Sequence, residues 1–304
     1  MDYAQFAEAR RRALLKKMVQ DEEDKITQCR SLENTSIDKY FRKFKDIAGG
    51  GYGEVYSAHV TPEGSALDKL LPEAGSLVAV KKIIVRPTMH KLLKNELSVL
   101  KKLDLKYSAK YYGCYIEGHI VYIVMELIPG QDLFETIVSD KIQFSPEDKI
   151  DIFLKIAEGI AEIHAAGVIH RDIKLENVMF SGKNDIKIVD FGLACDVNLQ
   201  VKEACSGSNV GTPGYIDPKI KSGDVESMRL SDWWAFGQLL VIILAGNPIL
   251  RTKYGYRPFE LVELNLYVPS ELRTLLYKLT DPVLEQSKRP GQEEILRVLR
   301  GGKL

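Results

Sequence analysis

His170-Arg171-Asp172-Ile173-Lys174-Leu175-Glu176-Asn177 gathers three chemically different groups in one short stretch. Asp172 can accept a proton from a hydroxyl, Lys174 can hold a negative group beside it, and Asn177 offers a neutral oxygen to a hard cation. A base, a cation and a metal ligand are the parts that phosphoryl transfer needs. The rest of the chain reads as their support.

Upstream, Pro146 to Ala166 carries Ile150, Phe153, Leu154, Ala157, Ile160 and Ala161 at helical spacing, which predicts a core helix delivering the loop. Downstream, a strand over Asp185 to Val189 leads to Asp190-Phe191-Gly192, whose carboxylate suits Mg²⁺ held against phosphate oxygens. Towards the N-terminus the pattern becomes strand (Phe41 to Ile47), glycine-rich turn (Ala48-Gly49-Gly50-Gly51-Tyr52-Gly53) and strand (Glu54 to Val60). Glycines there let backbone N–H groups approach phosphates without side-chain interference, although an ordinary hairpin has the same composition. The connector Thr61 to Ser76 reads as a surface loop with a helical turn at Leu67 to Leu71. A third strand, Leu77 to Lys81, is followed by a helix from about Met89 to Leu103, with Leu93, Leu97 and Leu100 towards the core and Glu96 between them. Two more strands fall in Tyr111 to Leu127.

With 304 residues, 45% of them apolar, the chain can bury the core of one large domain or two lobes. Lys plus Arg and Asp plus Glu each number 42, so no global field draws it to nucleic acid or an anionic membrane. Cys29, Cys114, Cys195 and Cys205 show neither a CxxC pair nor zinc spacing, which predicts free thiols in a reducing compartment. Charged residues interrupt every turn from Glu8 to Lys25, so the start lacks a signal peptide's apolar core and a cytoplasmic protein is expected. Basic residues from Arg10 to Lys17 make a nuclear location the alternative. The most apolar run, Leu239 to Ala245, is far short of the ~20 residues of a membrane span and predicts a buried helix. Residues 1 to about 36 have a helical pattern of Phe6, Ala9, Ala13, Leu14 and Met18. That pattern fits a docked helix, a partner-binding extension or a solvated leader.

The octapeptide resembles the catalytic loop of eukaryotic-type protein kinases, H-R-D-L-x-x-x-N with Ile173 in the Leu place, and Asp190-Phe191-Gly192 follows at the family's distance. Gly50, Gly53 and Val55 match the family's G-x-G-x-x-G-x-V, with Ala48 where the first glycine stands. Val78-Ala79-Val80-Lys81 matches V-A-I-K. The resemblance covers about Tyr40 to Leu304. It implies an α+β, bilobal protein-kinase fold, with a small β-rich N-lobe containing one helix (40–127) and a larger, mainly helical C-lobe (128–304). A helical extension (1–39) precedes them.

The implied activity is transfer of the γ-phosphate of MgATP to protein serine or threonine. Gly211-Thr212-Pro213-Gly214-Tyr215 and Lys174 resemble the serine/threonine branch. The resemblance gives Asp172 and Lys174 catalytic roles and makes Asn177 and Asp190 the Mg²⁺ ligands. It gives Ile47, Ala48, Gly49, Gly50, Gly51, Tyr52, Gly53, Val55, Ala79, Lys81, Glu96, Met125, Glu126, Ile128 and Asp132 to ATP. Lys81 holds the α- and β-phosphates and pairs with Glu96, Met125 is the gatekeeper, and Asp132 reaches the ribose. In the activation segment, Thr212 is to bond Asp172 and Lys174, and Ser208 is a phosphorylation site facing Arg171. Asp232 is to accept hydrogen bonds from the catalytic-loop backbone. Leu193 implies serine over threonine acceptors. The implied partners are protein substrates and a regulator at the N-terminal extension, with no nucleic acid and no membrane span.

A second departure is Asp217-Pro218-Lys219 in place of Ala-Pro-Glu, whose glutamate pairs with an arginine matched here by Arg289. Two cations cannot pair, so Asp217 or another carboxylate such as Glu293 is expected to take that role. Both departures support the rival reading, a pseudokinase scaffold without turnover.

Overall fold

The computed structural model describes residues 29–33, 35–50, 53–86, 89–140, 142–182, 185–198, 205, 210–245 and 269–301. Residues 1–28 of the helical pattern expected over 1 to about 36, together with Gly51, Tyr52 and Ser208, lie outside them. The chain divides into two compact units, one ending at Leu97 and resuming over Tyr111–Leu127, the other formed by Ser98–Lys110 and Ile128 onwards. The first is β-rich and the second mainly helical, the α+β composition expected.

In the first unit, β1 (Arg30–Ser31), β2 (Phe41–Gly50), β3 (Gly53–Val60), β4 (Leu77–Ile84), β5 (Tyr111–Glu117) and β6 (Ile120–Glu126) form one sheet, ordered β1-β5-β6-β4-β3-β2. β1 runs parallel to β5 and the other pairings are antiparallel. Alternation puts Tyr56, Ala58, Val60, Val78, Val80, Tyr122 and Val124 into one core with Tyr40, Phe41 and Tyr115. Residues 30–31 are thus an edge strand rather than part of a helix. The connector also differs from expectation: its helix, α1, is Pro62–Leu67, not the leucine-rich turn after it. Thr61 Oγ1 caps it by accepting the Gly64 N–H at 2.8 Å, and Pro62 lies in the first turn, where a missing N–H costs nothing. A Cβ on Gly64 would come 2.5 Å from the Tyr40 carbonyl oxygen, so only glycine lets α1 pack there.

The helix α2 (His90–Lys102) contributes residues to both units. In the second unit, β7 (Gln131–Asp132), β9 (Val178–Phe180) and β10 (Ile186–Ile188) form a small sheet, and β8 (Val168–Ile169) pairs with β11 (Cys195–Asp196). The scaffold is α3 (Pro146–Ala165), α4 (Val225–Ala245), α5 (Ser270–Thr280) and α6 (Gln292–Gly301). Ser145 caps α3 by accepting the Asp148 N–H, and Ile152, Phe153, Ile156, Ala157 and Ile160 form its buried face. α4 begins six residues before the expected Ser231 and is apolar on all sides. Its length and composition would suit a membrane span, but Trp233 to Leu244 are buried within the unit, as expected of a core helix.

The free-thiol expectation is overturned. Cys29 pairs with Cys114, with Cα atoms 4.7 Å apart, and Cys195 pairs with Cys205, with Cα atoms 5.3 Å apart. The first pair fastens β1 to β5, where Arg30 also reaches the Leu67 carbonyl at 3.0 Å and Asp68 at 3.2 Å. Sequence separations of 85 and 10 carry no zinc or CxxC signature, so only the folded chain brings these partners together.

Candidate functional site

In the first unit the glycine-rich turn is held by register: Ala48 faces Val55, Gly49 faces Glu54, and Gly50 faces Gly53. Gly53 has φ +139° and its missing Cβ leaves room for the Lys82 carbonyl, so glycine is required there. Ala48, by contrast, is an exposed residue of β2 and is not among the non-glycine residues with positive φ. The position asks for no glycine freedom, which removes the first departure as an objection. Ile47 is exposed on the same strand and Val55 is half-buried.

Lys81 lies on β4 opposite Ile123, and its Nζ donates to Glu96 Oε1 of α2 at 2.6 Å. The two side chains are only 13% and 10% exposed, so the pair is screened little by solvent. Ala79 pairs with Met125 across β4 and β6, and Glu126 ends β6 opposite Val78. Ile128, in the second unit, is buried. Asp132 Oδ1 accepts the Glu135 N–H at 2.8 Å, so one oxygen of this carboxylate caps the turn that follows β7.

The stretch from His170 to Asn177 is positioned by α3 and α4. Asp232 of α4 is 1% exposed and accepts from the His170 N–H at 2.9 Å and the Arg171 N–H at 2.8 Å; His164 Nε2 of α3 is 2.8 Å away. The two loop amides bonded to this carboxylate flank Arg171 at φ +65°, a conformation costly for a residue with a Cβ, while His164 helps fix the carboxylate itself. Arg171 Nε donates to the Leu193 carbonyl at 2.7 Å, tying the loop to the start of the segment after Asp190-Phe191-Gly192. His170 Nε2 stands 3.1 Å from the Val189 carbonyl oxygen, and the Val189 N–H donates to the Asn177 carbonyl.

Asp172 is 6% exposed and both its oxygens are engaged. Oδ1 accepts the Thr212 N–H at 2.9 Å and its hydroxyl at 2.7 Å; Oδ2 lies 2.9 Å from Lys174 Nζ and 3.1 Å from Asn177 Nδ2. Burial works to raise the Asp172 pKa, but the donors Thr212 and Lys174 outweigh it and hold the carboxyl below its ordinary value. Lys174 Nζ also donates to Thr212 Oγ1 at 2.9 Å, closing the expected triangle of Asp172, Lys174 and Thr212. Gly211 has φ +123°, and a Cβ there would stand 2.6 Å from the Arg171 carbonyl oxygen. The Gly-Thr order is therefore steric as well as chemical.

Asn177 spends its Nδ2 on Asp172, leaving Oδ1 as the atom suited to a hard cation. Asp190 has φ +60°, is exposed, and accepts the Gly192 N–H at 3.3 Å. No cluster of three or more His, Cys, Asp or Glu occurs among the described residues. One carboxylate and one amide oxygen fit Mg²⁺, which usually keeps waters and substrate phosphates as its remaining ligands.

The second departure is also resolved. Arg289 Nη1 donates to Asp217 Oδ2 at 2.6 Å, Glu293 is not its partner, and Lys219 reaches Glu285 instead. Missed by the sequence reading is Asp196 of β11, 1% exposed, which accepts from Ser98 Oγ at 2.8 Å and Lys102 Nζ at 2.6 Å on α2. An Asp three residues beyond Leu193 carries no motif that would reveal it.

The family model described as protein kinase domain matches residues 41–297. The chain is similar to the serine/threonine-protein kinase plk-2 of Caenorhabditis elegans, 28% identical over 84% of this chain and 39% of that protein. It is 32% identical to the CBL-interacting serine/threonine-protein kinase 17 of Arabidopsis thaliana, over 68% of this chain and 48% of the relative. Against the calcium/calmodulin-dependent protein kinase type 1 of Caenorhabditis elegans it is also 32% identical, over 67% of this chain and 56% of the relative. The chain thus spans about half the length of the curated relatives it matches.

Proposed function

The chain belongs to the protein kinase domain family, and we propose that it transfers the γ-phosphoryl group of ATP to serine or threonine hydroxyls of protein substrates. What supports the reading is the Asp172–Lys174–Thr212 triangle, a buried carboxylate held by its neighbours.

In this reading Asp172 orients the acceptor hydroxyl and takes its proton. Its depressed pKa keeps it ionised at neutral pH, and Lys174 offsets charge on the moving phosphoryl group. Lys81, set by Glu96, binds the α- and β-phosphates, and the backbone around Gly50 and Gly53 covers them. Asn177 and Asp190 would hold Mg²⁺, which supplies charge neutralisation at the phosphate oxygens. The family resemblance assigns the main chain of Glu126 and Ile128 to adenine, Met125 and Ala79 to its surroundings, and the Asp132 carboxylate to the ribose. The transition state is loose, so the protein's contribution is positioning and electrostatics rather than covalent chemistry. Purified chain incubated with MgATP and a generic basic protein, followed by phosphosite mapping, tests the proposal. Phosphoserine or phosphothreonine on the substrate is expected; MgATP bound without transfer contradicts it.

A further inference from the structure

Cys195 lies three residues beyond Gly192, at the start of the activation segment, and Cys205 lies ten residues further on. Cys195 is 0% exposed in a small apolar cluster with Ile169 and Met228, while Cys205 packs against that cluster and is half-buried. The residue after Cys195 is Asp196, which holds Ser98 and Lys102 of α2, the helix that also carries Glu96. Cys195 itself is equally close to the proposed chemistry, because it pairs in register with Ile169 of β8, immediately before His170. The linkage therefore sits between the catalytic loop and the clamp on α2. In this disulfide-closed form, Thr212 is bonded to Asp172, and Lys81 to Glu96.

We propose that Cys195 and Cys205 are a thiol–disulfide modification site that ties down the activation segment, with the oxidised form the faster enzyme. This rests on the kinase reading above. Closing a short loop removes alternatives from the open segment, so it favours the assembled arrangement without adding a contact to the substrate. The opening reagent is a dithiol. Its thiolate attacks Sγ of Cys205, the more accessible sulfur, forming a mixed disulfide and expelling Cys195 as a thiolate that takes a proton. The second thiol of the reagent then displaces Cys205, which leaves as a thiol, and the reagent departs as its own disulfide. Two electrons and two protons have passed to the protein. The freed Cys205 thiol has an acceptor at hand, the Asp196 carbonyl oxygen 3.7 Å from its Sγ.

The test equilibrates the full chain in dithiothreitol buffers of graded poise. It reads the Cys195–Cys205 linked peptide by non-reducing mass spectrometry, the initial phosphoryl-transfer rate, and amide exchange over residues 210–217. The rate is expected to fall roughly fivefold as the linked fraction is lost, part of what closing so short a loop contributes. The dependence should vanish in Cys205→Ser and persist in the Cys29→Ser/Cys114→Ser double variant. Absence of the linked peptide at every poise, or a rate indifferent to its fraction, overturns the proposal and leaves the kinase reading standing. A chain inactive at every poise defeats the kinase reading instead. There, exchange over 210–217 decides: slower exchange in the linked form supports the tie, and unchanged exchange overturns it.

Discussion

Arg289 Nη1 lies 2.6 Å from Asp217 Oδ2, and the two side chains are 1% and 0% exposed. Gln286 Nε2 and the Lys219 N–H complete the carboxylate, the Asp281 and Leu284 carbonyls take Nη2, and the guanidinium stacks 4.6 Å from the Trp234 ring centre. The pair survives here with its acid two residues earlier in the chain, and the cation Lys219 is turned outward to Glu285. What the fold requires at this point is a buried carboxylate within reach of Arg289, not a particular motif position.

Removing one partner of such a pair strands the other charge. Asp217→Ala is expected to lower the free energy of unfolding by about 3–5 kcal/mol, read from urea transitions at constant m. A loss of less than about 1 kcal/mol would mean that Arg289 finds another acid, as a surface pair would allow.

Ala48 needs no positive φ, so restoring the family glycine should gain nothing. Ala48→Gly is expected to change MgATP affinity less than about threefold and to cost up to about 1 kcal/mol of stability from added backbone freedom. Calorimetric titration checks it, and a tenfold tighter complex would show that the alanine does handicap nucleotide binding.

Asp232 holds two loop amides and His164 but touches no substrate. Asp232→Asn puts an amide donor where acceptors are needed, and is expected to destabilise the protein by about 1–3 kcal/mol for the buried donors left unmet. Because Arg171 would relax from φ +65°, kcat should fall while the KM for ATP stays near its original value. A fall in ATP affinity alone would contradict that division.

Asp196 gives a pH prediction with a definite sign. Burial pushes its pKa up, but Lys102, Ser98 and the Asn198 N–H together bring it below the ordinary aspartate value. A depressed folded pKa contributes stability that is fully present above the unfolded value of about 4 and is lost as pH falls through the folded one. Lys102→Met should therefore flatten the acid side of the stability–pH curve below about pH 4. An unchanged acid slope would show that the Asp196–Lys102 pair does not contribute to acid stability.

Much of this architecture was legible in the residues themselves. His170 to Asn177, Asp190 and the Lys81–Glu96 pair belong to local patterns tied to elements with clear periodicity, and Asp232 follows from the same alignment. In the connector, Leu67, Leu70 and Leu71 suggest a helical turn, but the cap at Thr61-Pro62 fixes where α1 starts. The partner of Arg289, the Asp196 clamp and both cysteine pairings depend on residues brought together from distant positions or lacking any motif. Spacing alone could not supply them.

In the proposed function Asp172 acts as the base. Asp172→Asn keeps an oxygen for Thr212 and the side-chain volume while removing the proton acceptor, so the measurement pairs steady-state phosphoryl transfer with MgATP binding in the same variant. Turnover is expected to fall about 10²–10⁴-fold with nucleotide affinity within about twofold of the parent. Turnover close to that of the parent chain would contradict it and move the chemistry away from Asp172.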